Sequence, residues 1–198
     1  NAGTIVLYNF LGHLGEASIT ALAAIANGLR IEALIYLPAF ALNMSAAVLI
    51  GQNLGAGHPD RAEQVGWRIA WSGAVIVTLL ALPIFLRAED FAGLVARDPA
   101  VLAETARYLR INMVAQPFIA MSLALSGGLQ GAGDTRGPMW AILIAMWLIR
   151  LPLAYLLALP WGFGAAGVWS AMVISMVCQG LLMAGRFRAG KWKQLRLE

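Results

Sequence analysis

Six apolar runs and the polar breaks between them organise this chain. A short run covers residues 1–11 and is broken by "LGHLGEAS" at 11–18. Longer runs follow at 19–54, 62–86, 100–129, 138–159 and 165–187. None alternates apolar and polar positions with period 2, so the pattern predicts helices and not barrel strands. As one helix, 19–54 would be roughly 50 Å long, against a hydrocarbon core of about 30 Å. It must tilt, kink or project, and Pro38 is the expected kink. Pro117 and Pro152 lie inside the fourth and fifth runs. The stretch 87–103 carries Arg87, Glu89, Asp90, Arg97, Asp98 and Pro99 and reads as a short amphipathic connection. The first run is only about ten residues, half of the roughly twenty needed to span. With no Met and no basic segment of a signal peptide before it, the chain is expected to begin within a helix and to be part of a longer protein.

Composition turns these helices into membrane helices. Of 198 residues 60% are hydrophobic and 12% charged. Soluble domains are about 45–50% apolar and about 25% charged, so too little polar surface remains to coat a soluble globule. The expected class is all-α, a polytopic membrane helix bundle. The net charge of +4 does not make a nucleic-acid face, because the basic residues sit at helix ends and in the tail 188–198. Arg61, Arg68, Arg136, Arg186, Arg188, Lys191, Lys193 and Arg196 fall on one side. Arg87, Arg97, Arg107 and Arg110 fall on the other. The richer side is expected to be cytoplasmic, which puts the basic tail inside and 87–103 outside. The single cysteine, Cys178, lies in an apolar run, so no disulfide or cysteine-based metal site is expected.

Two breaks share one grammar: "GQNLGAGHPDRAEQ" at 51–64 and "GGLQGAGDTRGPMW" at 127–140, with Gly131 standing 76 residues after Gly55. Neither has the Lys-Ser/Thr of a phosphate loop or the spacing of a dinucleotide fingerprint. Glycine ends a helix without Cβ cost. Pro59 and Pro138 suit a helix start, Asp60 and Glu63 suit its first turn, and Asp134 and Thr135 are capping types. Both breaks therefore read as turns between membrane helices on the cytoplasmic side.

These two stretches, with "YLPAFALNMSAAVLIGQNLGAG" and "WLIRLPLAYLLALPWGFGAAGVW", resemble the multidrug and toxic compound extrusion (MATE) family over essentially the whole chain. The resemblance implies one lobe of a twelve-helix, two-lobe transporter: the second lobe, helices seven to twelve, with helix seven truncated. Its implied activity is export of organic cations and other drugs by alternating access, in exchange for H⁺ or Na⁺. The implied partners are the missing N-terminal lobe, the lipid bilayer and small organic cations, with no nucleic acid, resident metal or organic cofactor. The expected location is the inner membrane of a bacterium. His58 stands where the family commonly has Asp, a better cap. Sodium-coupled members carry acids in helix seven and in the middle of helix ten. Between Arg110 and Gly131 this chain has no Asp or Glu. On that analogy the missing acid favours protons, and the coupling ion is left open.

Within the membrane, ionisable residues are functional candidates by default. Arg150 lies about fourteen residues past the second turn, roughly 21 Å deep. It is expected either to pair with carbonyls freed by Pro152 or with an acid on a neighbouring helix, or to line the cleft. Arg30 and Glu32 point to different faces. Glu32 is a candidate to answer Arg150 across the lobe or to bind a cation, or else an interfacial charge. Asn112 and Gln116 share a helix face beside Pro117 and are the expected cleft wall. Asn43, Ser45, Ser122, Ser126, Ser175 and Gln179 are candidates for polar contacts between helices. Trp71, Trp140, Trp147, Trp161, Trp169 and Trp192 are expected at the membrane interfaces. Met113, Met121, Met139, Met146, Met172 and Met176 suit either packing or an adaptable drug surface, and His13 is an ordinary loop residue. The function expected first is multidrug antiport. A lipid-linked or metabolite cargo on the same fold and a non-transporting scaffold are the alternatives. No enzyme motif is present.

Overall fold

The computed structural model describes residues 17–158 and 160–194. The expected truncated run 1–11 and His13 lie outside the described residues. Helix α1 (Ala17–Gly55) runs unbroken through Pro38. Helix α2 is Pro59–Leu86 and α3 is the short Ala88–Gly93. Then come α4 (Pro99–Met113) and α5 (Gln116–Gly131). Helix α6 (Arg136–Leu143) passes through a π-helical stretch, Ile144–Arg150, into α7 (Leu151–Ala158). Helix α8 is Gly164–Arg188, and a 3₁₀ turn at Lys191–Gln194 follows. No strand occurs among the described residues. Among the described residues four helical stretches are long and apolar enough to cross a membrane, Ile19–Gly55, Pro59–Leu86, Arg136–Ala158 and Gly164–Arg188, and the bent pair α4–α5 would make a fifth if counted as one span.

The run expected as one helix over 100–129 is instead two, α4 and α5, meeting at 53°. Pro117 is the cause. It has no N–H to return to Met113, and its ring crowds that turn. Val114 and Ala115 carry the bend, with the Ala115 N–H on the Asn112 carbonyl at 3.0 Å. Asp98 starts α4 as a true cap, accepting from the backbone N–H of Ala100 and Val101 at 2.9 and 3.1 Å.

The two Gly-Ala-Gly turns have the same backbone. At the first, Gly57 N–H donates to the Leu54 carbonyl and His58 N–H to Asn53. At the second, Gly133 N–H donates to Gln130 and Asp134 N–H to Leu129. Both are Schellman closures, which need a left-handed residue, and Gly57 and Gly133 have φ of 75° and 84°. Their starts differ. The His58 side chain makes no cap bond, whereas Asp134 accepts the Gly137 N–H at 2.9 Å.

Both turns lie at one end of the bundle, here called the turn end, together with the end of α8. Arg186 pairs with the buried Asp134 at 2.9 Å. The described part of the basic tail folds back onto the bundle. Trp192 stacks on Phe187 with centroids 4.7 Å apart and donates its N–H to the Phe187 carbonyl at 2.7 Å. Lys193 reaches Glu63 at 2.6 Å and Asp60 at 3.0 Å on α2. Those two carboxylates, Glu63 first, raise the Lys193 ammonium above its ordinary value.

Helices α1 and α5 touch backbone to backbone. A Cβ on Gly127 would strike the Asn43 carbonyl, and one on Gly131 the Ala47 carbonyl. The Asn43 amide ties the same seam, donating to the Leu123 carbonyl at 2.6 Å. Leu34, Leu37, Met44, Leu79 and Leu148 are exposed on the outside of the bundle. That surface suits lipid or another apolar body, not water.

Candidate functional site

Inside the half of the bundle away from the turns sits a cluster of buried polar groups without partners. Glu32, one turn after Gly28 on α1, is 0% exposed, and neither carboxylate oxygen has a hydrogen-bond partner. The Tyr108 hydroxyl of α4 lies beside it, also buried and outside hydrogen-bonding geometry. Asn112 follows one turn on. Its amide N–H bonds the Tyr108 carbonyl at 3.1 Å, which leaves Oδ1 unpartnered. Gln116, just past the bend, is 1% exposed and leaves Nε2 unpartnered. Tyr36, one turn after Glu32, faces Gln116.

Such groups are rarely left unsatisfied, because each costs about 1–3 kcal/mol. Several such atoms meeting in one place mark the cluster as the candidate site. The local sequence explains their meeting. Residues 28, 32 and 36 recur at i, i+4 on α1, and 108, 112 and 116 do so on α4 and into α5, so each set forms one stripe. The helix break at Val114–Ala115 falls between Asn112 and Gln116. Interrupted helices are tolerated at membrane depth where the irregular backbone is buried or lines a cavity, and transporters use them at binding sites.

Arg150 closes the cluster from another side. It ends the π-helical stretch, where the Leu151 N–H reaches back five residues to the Met146 carbonyl. Pro152 contributes no N–H to the ladder, and single π turns of this kind recur at functional sites. The Arg150 Nε–H donates to Ser175 Oγ at 2.8 Å, and that hydroxyl donates to the Met172 carbonyl at 2.7 Å. Tyr36 and Tyr108 lie on the same side of the cluster as Arg150. The expected ion pair between Arg150 and Glu32 is not formed, and Arg150 makes no salt bridge among the described residues.

The structure therefore gathers Glu32, Asn112 and Gln116, with Arg150 at the edge. It leaves two candidates out. Arg30 is exposed on the outer surface of α1, and Asn43 belongs to the α1–α5 seam. Asn112 and Gln116 are enclosed by the bundle and form no open wall of it. Tyr36 and Tyr108 were missed, although their i, i+4 spacing from Glu32 and Asn112 was the available signal. Between Arg110 and Gly131 there is no acid, and the carboxylate in this cluster is Glu32 of α1. Of the tryptophans expected at interfaces, Trp71, Trp140, Trp147 and Trp161 are exposed, but Trp169 and Trp192 are buried at 0% and 1%.

Comparison with known proteins supplies the wider setting. The MatE family profile matches residues 1–156. The chain is 33% identical over 179 residues to the multidrug resistance protein NorM of Burkholderia vietnamiensis, covering 88% of this chain and 39% of that protein. It is 28% identical over 196 residues to the uncharacterised transporter YisQ of Bacillus subtilis, covering 98% of this chain and 42% of that protein. Among solved structures, the MATE transporter ClbM in complex with Rb⁺ superposes with a TM-score of 0.88 at 26% identity, over 98% of this chain and 45% of that one. The chain thus spans about two fifths of the length of the relatives it matches. Motifs, helix order and fold agree, and the chain belongs to the MATE family of transporters.

Proposed function

We propose that the full-length transporter containing this chain exports organic cations and other drugs, driven by exchange with H⁺ or a monovalent metal cation. In this reading the chain is the second lobe, its turn end faces the cytoplasm, and the coupling ion is taken up around Glu32. The observation that carries the reading is the fully buried, unpartnered Glu32 carboxylate beside Tyr108, on the helix that breaks just after Asn112. One carboxylate among neutral oxygens suits a proton or a monovalent ion. A calcium-like ion takes six to eight oxygens. ClbM binds Rb⁺ on the same fold, and a NorM relative is a multidrug resistance protein. Alternation then consists of this lobe rocking against its partner around a drug held between them.

The test is ethidium export by the full-length protein under separate Na⁺ and pH gradients. Glu32→Gln keeps the shape and removes the ionisable group. It is expected to abolish gradient-driven export at unchanged membrane level. Undiminished export by that variant under both gradients would overturn the assignment of coupling to Glu32.

A further inference from the structure

We propose that Trp169 is a positioning residue for the Glu32 site, itself oriented by Glu104; the inference rests on the reading of Glu32 given above. The Tyr108 hydroxyl is the neutral group placed beside the carboxylate, so the aim of its ring decides what the site offers an ion. That ring is clamped from two sides. On α1, a Cβ at Gly28 would run into its Cδ1 and Cε1 atoms, so the glycine lets the ring lie against the helix backbone. On α8, Trp169 meets it edge to face, with centroids 5.0 Å apart and planes at 88°. Such geometry is directional and holds a ring better than aliphatic packing does.

Trp169 is in turn fixed by its only polar atom. The indole N–H donates to Glu104 Oε1 at 3.0 Å. Glu104 and Tyr108 are one turn apart on α4, on the same face. The indole therefore bridges that turn, with its N–H on one residue and its ring on the next. A bond to a carboxylate is stronger than one between neutral groups, so the tilt of the indole is set and not merely permitted. Packing alone would need only an aromatic ring at 169. The fully buried indole with its single polar atom satisfied by Glu104 points to orientation as the added requirement.

The experiment uses the full-length transporter and three variants: Trp169→Phe, Glu104→Ala and Glu104→Gln. It reads the Na⁺ concentration, or the external pH, that gives half-maximal ethidium export, together with the half-saturating ethidium concentration and the membrane level. Trp169→Phe and Glu104→Ala both remove the indole–carboxylate bond and are expected to shift the ion dependence by about three- to tenfold, the size of one lost hydrogen bond. Dye half-saturation should stay at the parent value. Glu104→Gln still offers a carbonyl to the indole and should recover most of the shift. An unchanged ion dependence per transporter molecule in Glu104→Ala, whatever its membrane level, would overturn the proposal. Should Trp169→Phe fail to reach the membrane, the Glu104 pair alone decides. Glu32→Gln is measured in parallel. If it leaves ion dependence intact, the reading of the site itself fails. If it abolishes ion dependence while Glu104→Ala does not move it, only the role of Trp169 fails.

Discussion

At the turn end, Asp134 is buried and doubly occupied, by Arg186 and by the Gly137 N–H. On the far side of the bundle, Glu32 is buried with neither oxygen hydrogen-bonded. The two carboxylates are alike in burial and opposite in satisfaction. The clasp formed by Arg186, Trp192 and Lys193 completes its bonds within the chain and ties α8 to α2 and to the second turn. The Glu32 cluster completes few of its bonds within the lobe, which costs stability. One end of the lobe is closed on itself, and the other holds the carboxylate proposed to take the coupling ion.

Six substitutions and one silent control press on that contrast, the largest effect first. Gly131→Leu and Gly127→Leu drive a side chain into the carbonyls of α1, which cannot retreat without parting the helices. Both should remove most folded protein from the membrane, measured by size-exclusion of a fluorescent fusion. Gly185→Ala, which meets nothing within 4 Å, should be silent. Next, Trp192→Ala empties a buried ring site and should cost about 3 kcal/mol, seen as a lowered melting temperature in detergent with the ion dependence of export intact. Asp134→Ala should cost about 1–3 kcal/mol from cap and ion pair together, since the half-exposed Arg186 is screened by solvent. Again coupling should survive. Glu32→Gln should do the reverse, losing coupling while keeping or raising the melting temperature, because a buried amide is less costly than an unpaired charge. If Asp134→Ala and Glu32→Gln damage the same property, the division of labour between the two ends is wrong. The smallest effect belongs to Lys193→Ala. Its partners Asp60 and Glu63 are 89% and 30% exposed, so the loss should stay under about 1 kcal/mol and fade in high salt.

Much of this was legible in the chain itself. Helix order, both turns and the long first span follow from apolar runs and glycine-proline punctuation. The bend between α4 and α5 was not, because proline inside a membrane helix is compatible with either a mild kink or a break. In this one chain Pro38 leaves its helix continuous and Pro117 breaks α4 from α5. At the site, residue type singled out Glu32, Asn112, Gln116 and Arg150, since polar groups at membrane depth are conspicuous. Residue type could not show which of them meet. Arg30 is two residues from Glu32 and points outward. Trp169 and Trp192 sit near segment ends, as interfacial anchors do, and are buried only because α8 packs its ends against α4 and α2. Tyrosines blend into an apolar background, so Tyr36 and Tyr108 emerge only once Glu32 gives them something to face.

The seam between α1 and α5 has a further consequence. At Gly127 and Gly131 the helices are so close that a methyl group has no room between them, and a water molecule needs at least as much space plus polar partners. The contact is therefore also a gasket. No file of water can pass between the helices at those two positions, so on the proposed reading an ion leaving Glu32 toward the turn end must take another path. In an antiporter, which would dissipate its gradient if both sides were wetted at once, two glycines would serve as waterproofing.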